Sequence, residues 1–511
     1  MSGSPQSMPF PRVPTNVPGL DAVLEGGFPR GGIYLVEGLP GAGKTILGNQ
    51  LCFNHVAAGG RALFLTLLTE PHARMLSFMR PLAFYDDAAV GAGLQYLSGL
   101  QALEHEGLGG FLTLVRASIR ERRVTLLVID GLNTAAEAAP TGLSLGRFLA
   151  ELQLTLEALG STAILLGRPN EAADTPLHTM VDGVLSLSTA RTDGRGDRVL
   201  RVRKLRGSSF LEGLHSYRIG SDGVVVYPRT EELYDPLAPG DPAAQATILP
   251  FGVPRLDEML AGGALLGSNT LIFGAPGTGK TLLGLQFLYS GAEIGDPGVL
   301  CGCQEAPGRL LAAAENIGLK LRSEDAAGRL SILWEPPREQ PIDAIAERLL
   351  AEIERIGARR LVIDGIDVLR HLVPPERFPL FLSGLLGELR RRGVTTVVTL
   401  ELPQFFGPEV RLPIDGLAAL FDTILFLRTV ELNSQLYRLV TVLKARERAA
   451  DRSIREFRIS DSGIDVAETF ASAEAILTGV ARPLAPMTAA MTPGRGPARP
   501  EDDNVATTPR R

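Results

Sequence analysis

The sequence predicts an α/β protein built from two successive copies of one domain, each a mainly parallel sheet flanked by helices. Three observations carry this. The run Gly38-Leu39-Pro40-Gly41-Ala42-Gly43-Lys44-Thr45 recurs as Gly274-Ala275-Pro276-Gly277-Thr278-Gly279-Lys280-Thr281, so Lys280 lies 236 residues after Lys44. Upstream, Val17-Pro18-Gly19-Leu20-Asp21 followed by Gly26-Gly27 recurs in the same register as Val253-Pro254-Arg255-Leu256-Asp257 followed by Gly262-Gly263. Further on, Leu126-Leu127-Val128-Ile129-Asp130 and Leu361-Val362-Ile363-Asp364 are apolar runs that each end in one carboxylate. A long repeat of this kind marks two copies of a unit and not a chance motif.

Each glycine loop follows a short, partly β-branched apolar run, Ile33–Val36 or Thr270–Phe273, and precedes a helical stretch, which is the strand–loop–helix context of a buried parallel sheet. The 511 residues exceed one ordinary core, and the repeat divides them into halves of normal domain size. The expected boundaries are a first domain over 15–234, a Pro-punctuated linker over 235–246 and a second domain over 247–480. Pro-, Ser-, Thr- and Ala-rich tails at 1–14 and 481–511 read as disordered.

The composition is that of a globular protein with a formal net charge of −6, which argues against general attraction to nucleic acid or anionic membranes. No apolar stretch approaches the roughly 18 residues of a membrane span, and the N-terminus lacks the basic start and apolar centre of a signal peptide. Cys52, Cys301 and Cys303 form neither a disulfide framework nor a structural zinc pattern, and they read as core cysteines. A soluble protein of a reducing cytoplasm is expected.

The loops themselves prescribe phosphate chemistry. Gly38, Gly41 and Gly43, like Gly274, Gly277 and Gly279, let the backbone wrap a polyphosphate with its N–H groups pointing inward, and the helix that follows adds the positive end of its dipole. Lys44 and Lys280 then reach the β- and γ-phosphates, and the Thr45 and Thr281 hydroxyls ligate Mg2+. Asp130 and Asp364, at the carboxyl ends of their strands, complete the metal site. Hydrolysis also needs a group that orients the attacking water. Leu63–Glu70 and Val299–Glu305 read as strands ending in such a group; Glu70 is 26 residues after Lys44 and Glu305 is 25 after Lys280.

Late in each half, Leu200–Arg206 and Val440–Arg446 end in Lys-X-Arg, and strand alternation puts Lys204 with Arg206, and Lys444 with Arg446, on one face. Two adjacent cations without an obvious local acidic partner suit a phosphate, including one bound to a neighbouring subunit, and equally suit an ordinary solvated edge strand.

In Lys204-Leu205-Arg206-Gly207-Ser208-Ser209, Gly213, Tyr217-Arg218-Ile219, Lys444-Ala445-Arg446 and Ile454–Asp461, the chain resembles the KaiC family of tandem RecA-like P-loop ATPases over roughly residues 15–480. The resemblance implies a two-tier ring, usually hexameric, with ATP bound between subunits and Lys204, Arg206, Lys444 and Arg446 completing the site next door. Three departures stand against it. The family's Glu-Glu pair is Thr69-Glu70 and Gln304-Glu305 here, which implies slower or differently tuned hydrolysis. The second basic motif continues Glu447-Arg448-Ala449-Ala450 in place of Gly-Ser-Trp-His. Before Asp422-Thr423-Ile424, the family's phosphorylated Ser and Thr are Ala418 and Ala419, a poor fit to a serine/threonine autokinase.

The expected function is therefore that of an ATP-hydrolysing, Mg2+-dependent homohexamer acting as a nucleotide-driven switch on an unidentified protein partner. The rivals are a protein kinase of the same type, a RecA- or RadA-like DNA motor, and a nucleotide-gated scaffold without catalysis.

Overall fold

The computed structural model describes residues 11–468 except 70, 138–141, 170–175, 193–194, 235–246, 337–339, 403–415, 433 and 447. Each half contains a nine-stranded sheet. The first runs Leu94–Ser98, Ala62–Thr66, Leu126–Asp130, Thr162–Gly167, Ile33–Gly38, Gly183–Thr192, Arg195–Leu205, His215–Gly220 and Gly223–Tyr227 across the sheet. The first six of these are parallel and the last three are added antiparallel. The second sheet repeats that order with Leu330–Trp334, Gly298–Gly302, Arg360–Asp364, Thr395–Glu401, Asn269–Gly274, Thr423–Leu432, Gln435–Ala445, Arg455–Ser460 and Gly463–Val466. This is the α/β architecture of two tandem RecA-like domains.

The inner parallel strands are buried on both faces, as their continuous apolar sequences require, whereas the edge strands Leu94–Ser98 and Leu330–Trp334 are buried only at their first residue. In the first half, Tyr34 and Val36 face a core shared with the helix Lys44–Ala57, while Ile33 and Leu35 face the helices Leu100–Arg122 and Gly142–Leu159. Cys301 and Cys303 lie in one buried cluster of the second half, as core residues. The glycine-loop strand sits centrally, and its loop and the carboxylate of the strand two places away open at the same carboxyl edge of the sheet, where open α/β sheets place ligands.

The upstream repeat is explained by one local device. Asp21 accepts from the Thr15 and Asn16 amides at 2.8 and 2.9 Å, and Asp257 accepts from Phe251 and Gly252 at 2.7 and 3.0 Å, so one carboxylate ties the entry loop of each domain. Gly27 and Gly263 follow with positive φ, and a Cβ on either would stand 2.3 Å from the carbonyl oxygen of Val13 or Leu249.

Three expectations are corrected. Arg12–Val13, assigned to a disordered N-terminal tail, pairs with Phe28–Pro29. Arg12 also donates to the Leu24 and Gly27 carbonyls, contacts that Pro-rich composition conceals. The strands expected to reach Glu70 and Glu305 end at Thr66 and Gly302, where pairing to the carboxylate strand ends opposite Asp130 and Asp364. Arg206 and Arg446 lie just past their strands, which end at Leu205 and Ala445. The linker, the residues beyond 468, Glu70 and Glu447 lie outside the described residues.

The halves meet through a buried ion network. The Arg377 guanidinium bonds Glu231 at 2.7 Å and Asp343 at 2.8 Å, while the Thr230 amide and hydroxyl both donate to Asp343 at 3.0 Å. The helix Phe378–Arg391 packs so closely on Thr230–Leu233 that a Cβ at Gly384 would lie 2.9 Å from the Glu231 Cα. Glu231 is pushed up by burial, but the Arg377 hydrogen bond and charge outweigh this and hold it below the usual glutamate range.

Candidate functional site: two glycine-loop cradles

In both loops the lysine folds back over the turn. Lys44 Nζ donates to the Gly38 and Leu39 carbonyls at 2.6 and 3.1 Å, and Lys280 Nζ to those of Gly274 and Ala275 at 3.0 and 2.9 Å. Gly43 and Gly279 are the N-caps of the helices Lys44–Ala57 and Lys280–Glu293, with φ of 93° and 99°. A side chain there would be strained and would also strike Ile219 or Ile459, because the strands His215–Gly220 and Arg455–Ser460 cover the loops. Tyr217 Oη donates to the Ala42 carbonyl at 2.6 Å, and Arg438 Nε to that of Gly277 at 3.1 Å. The described residues thus set a glycine loop at the N-terminus of each helix, the form that suits a polyphosphate.

The threonine after each lysine meets the carboxylate predicted for it. Thr45 Oγ1 donates to Asp130 at 2.9 Å, and Thr281 Oγ1 to Asp364 at 3.0 and 3.1 Å. One hydroxyl and one carboxylate beside a phosphate cradle form a donor set that fits Mg2+, which binds through one or two carboxylates, water and substrate phosphates. In the second half Thr399 adds a 2.6 Å bond to Asp364 and accepts the Gly365 amide at 2.8 Å. Burial raises Asp364, opposed by the Thr399 and Thr281 hydrogen bonds and by the Lys280 charge.

A cavity of about 500 Å³ is lined by Lys280, Thr281, Asp364, Glu305, Asp367, Glu401 and Arg438 among others. Glu305 stands exposed at its wall, immediately before Ala306, the N-cap of the helix Pro307–Glu315. In the first half, Glu70 immediately precedes Pro71, the N-cap of His72–Met79, after a loop one residue longer.

The basic pairs are brought together, but away from their own cradles. Lys204 Nζ donates to the His178, Thr179 and Val181 carbonyls, and Arg206 to that of Thr179. Lys444 and Arg446 repeat the arrangement on Ala418, Phe421 and Ala419. Asp182 and Asp422 lie 3.8 Å from the two arginines, acidic neighbours that were not apparent from the sequence. Lys204 is registered with Val184, beside the start of the strand Ile33–Gly38, whereas the glycine loop leaves its far end. Burial lowers the Lys204 and Lys444 pKa values, and Arg206 or Arg446 adds to the effect.

A bulge in each strand, with Arg203 or Leu443 as the extra residue, breaks the strict alternation assumed from sequence. Arg203 consequently approaches Glu37 at 3.5 Å. Glu37 also accepts from Ser186 at 2.5 Å and contacts His178 at 2.9 Å. No motif points to this cluster, nor to Thr399, Arg438 and Glu401. Its available signal was a Glu inside an otherwise apolar buried strand.

Fold and site define a class, the tandem P-loop nucleoside-triphosphatases of RecA-like fold. A family model for the KaiC ATPase matches residues 13–231 and again 249–470, and the chain belongs to that family. It is similar to the circadian clock oscillator protein KaiC of Picosynechococcus sp., 26% identical over 483 residues and 92% of each chain. It is likewise similar to the protein of that name from Thermosynechococcus vestitus, 26% identical over 485 residues, 92% of this chain and 91% of that one. The Synechococcus elongatus protein of that name is 25% identical over 477 residues, 91% of each chain. Among the described residues no helix is long and apolar enough to cross a membrane.

Proposed function

We propose that this chain is a Mg2+-dependent ATPase with one nucleotide site in each half, assembled as a cytoplasmic homohexameric ring whose nucleotide state is read by a protein partner. The single observation that carries the reading is the duplicated meeting of glycine loop, lysine, threonine and aspartate in both domains. Gly38, Gly41, Gly43, Gly274, Gly277 and Gly279 shape the cradles. Lys44 and Lys280 neutralise the terminal phosphates, and Thr45 with Asp130, like Thr281 with Asp364, holds the metal. Bound Mg2+ supplies charge neutralisation on the phosphate oxygens. Glu305, exposed at the cavity wall, orients the attacking water and takes its proton; Glu70 has the same task in the first half.

The basic pairs are too far along the sheet to serve their own loops, which supports Lys204, Arg206, Lys444 and Arg446 acting on a neighbour's nucleotide in a ring. Kinase activity is the second reading within the family, but the positions matched to acceptor residues are Ala418 and Ala419, which lack a hydroxyl. The acidic balance disfavours a DNA motor; salt-sensitive stimulation of turnover by DNA would revive it.

Phosphate release and light scattering on one purified sample test the proposal. ATP should give a mass near six chains, Glu305→Gln and Glu70→Gln should each lower turnover, and the double variant should abolish it while still binding ATP. A protein that binds ATP without releasing phosphate is the scaffold instead, and a strict monomer with full turnover contradicts the ring.

A further inference from the structure

The two cradles share a backbone but not a charge. The strand Thr162–Gly167 flanks the first glycine-loop strand, with Gly167 abreast of Glu37, so Arg168 follows beside Gly38. In the second half Glu401 pairs directly with Gly274. The local support is the same on both sides: the Arg168 amide donates to Asn133 at 2.6 Å and the Glu401 amide to Asp367 at 3.4 Å, each acceptor three residues after the site aspartate. Glu401 Oε2 stands 3.9 Å from Lys280 Nζ and lines the cavity with Glu305, Asp364 and Asp367. Around the lysine, the first site therefore has a second cation and one carboxylate from Arg168, Asp130 and Asn133. The second has three carboxylates, from Glu401, Asp364 and Asp367, and no second cation from these positions. Lys44 feels this difference as repulsion from Arg168, and Lys280 as attraction to Glu401, in each case beneath the larger effect of burial.

We infer that Arg168 and Glu401 set how far each site depends on a divalent cation: the first site holds a nucleoside triphosphate with modest help from metal, and the second only when metal masks its carboxylates. The inference rests on the reading of both cradles as triphosphate sites. A guanidinium beside the loop lysine adds a donor fork within reach of terminal phosphate oxygens, which carry charge whether or not metal is present. Glu401 instead occupies the lysine's field and repels the same oxygens, so the metal has to offset two effects, the phosphate's own charge and that of the wall. Arg168 and Glu401 are thus specificity-determining residues at equivalent positions with opposite charge.

The test uses Lys280→Ala, which leaves the first site to report, and Lys44→Ala, which leaves the second. A fluorescent ATP analogue is titrated against each full-length chain in Mg2+ and in EDTA, and the readout is binding. Removing metal should weaken the first site by about tenfold or less and the second by about a hundredfold or more, the scale of one strong charge pair. Arg168→Glu in the first background should raise the metal penalty, and Glu401→Arg in the second should reduce it. Glu401→Gln should fall between. Equal penalties at the two sites, unmoved by charge reversal, overturn the inference while leaving two triphosphate sites intact. Absence of analogue binding in Mg2+ overturns the underlying reading instead. The comparison of the two lysine variants requires no flank substitution, so it decides the question even where a reversal unfolds its domain.

Discussion

The two halves are the same sheet with different interiors. Strand order, the bulge before the basic pair, the Asp21 and Asp257 ties and the lysine-on-carbonyl loops coincide. Beside the glycine-loop strand they part. Glu37, buried beside Ser186 and His178 and approached by the exposed Arg203, corresponds by register to Phe273, which stacks on Phe426 at 4.8 Å, with Leu443 at the bulge. Leu126, at the start of the first carboxylate strand, corresponds to Arg360. That arginine is fully buried, donates to the Pro250 and Phe287 carbonyls and lies over the Phe287 ring at 4.6 Å. Positions that fix backbone geometry have been held in common, while side chains that fill the same space with different chemistry have diverged. That separation makes the repeat a natural control on itself.

The largest expected effect comes from exchanging those interiors. Phe273→Glu puts a carboxylate among apolar neighbours without Ser, His or Arg to meet it and should cost about 4 kcal/mol or more. Glu37→Gln keeps hydrogen-bonding capacity and should cost only about 1–2 kcal/mol. Thermal unfolding measures both, and equal losses would show that the two interiors are interchangeable.

Next is the joint between the halves. Arg377→Ala leaves Glu231 and Asp343 without their shared cation, a loss of about 3 kcal/mol to docking, read as a split unfolding transition and faster proteolysis between the domains. The same joint has a pH sign. Glu231 is depressed in the folded protein, so its contribution is present above the ordinary glutamate range and is lost as pH falls through the lower folded value. Acid below the ordinary glutamate range should therefore loosen the joint, and the split transition should appear in the native protein only at that low pH.

A smaller effect in free energy, though visible in rate, is expected from Lys204→Ala. Turnover of the first tier should fall by about a hundredfold, less than for loss of a full arginine finger, with ATP binding to its own cradle unchanged. A parallel fall in binding would mean that the lysine acts only through the 178–181 segment it clasps. The smallest effect is none: after incubation with Mg-ATP, intact mass and peptide mapping should show no stoichiometric phosphate at 410–425. A phosphopeptide at Thr423 would bring the kinase reading forward.

Much of this was legible in the sequence because the decisive features are local. Glycine spacing fixes the loop, an apolar strand ending in Asp fixes the carboxylate edge, and a 236-residue register links the copies. What could not be read depends on neighbours distant in sequence. The ends of the Glu-bearing strands are set by where pairing to Leu126–Asp130 and Arg360–Asp364 stops. Lys204 and Lys444 clasp carbonyls over 20 residues away, in segments with no motif. Arg168 and Glu401 come beside the glycine loops only because a later strand inserts next to the glycine-loop strand.

The central claim, that both halves are working nucleotide sites, is tested most directly by counting nucleotide bound per chain under native conditions in Mg2+. Two are expected in the native protein, and one in each of Lys44→Ala and Lys280→Ala. A native stoichiometry of one, abolished by a single one of these substitutions and untouched by the other, would contradict it.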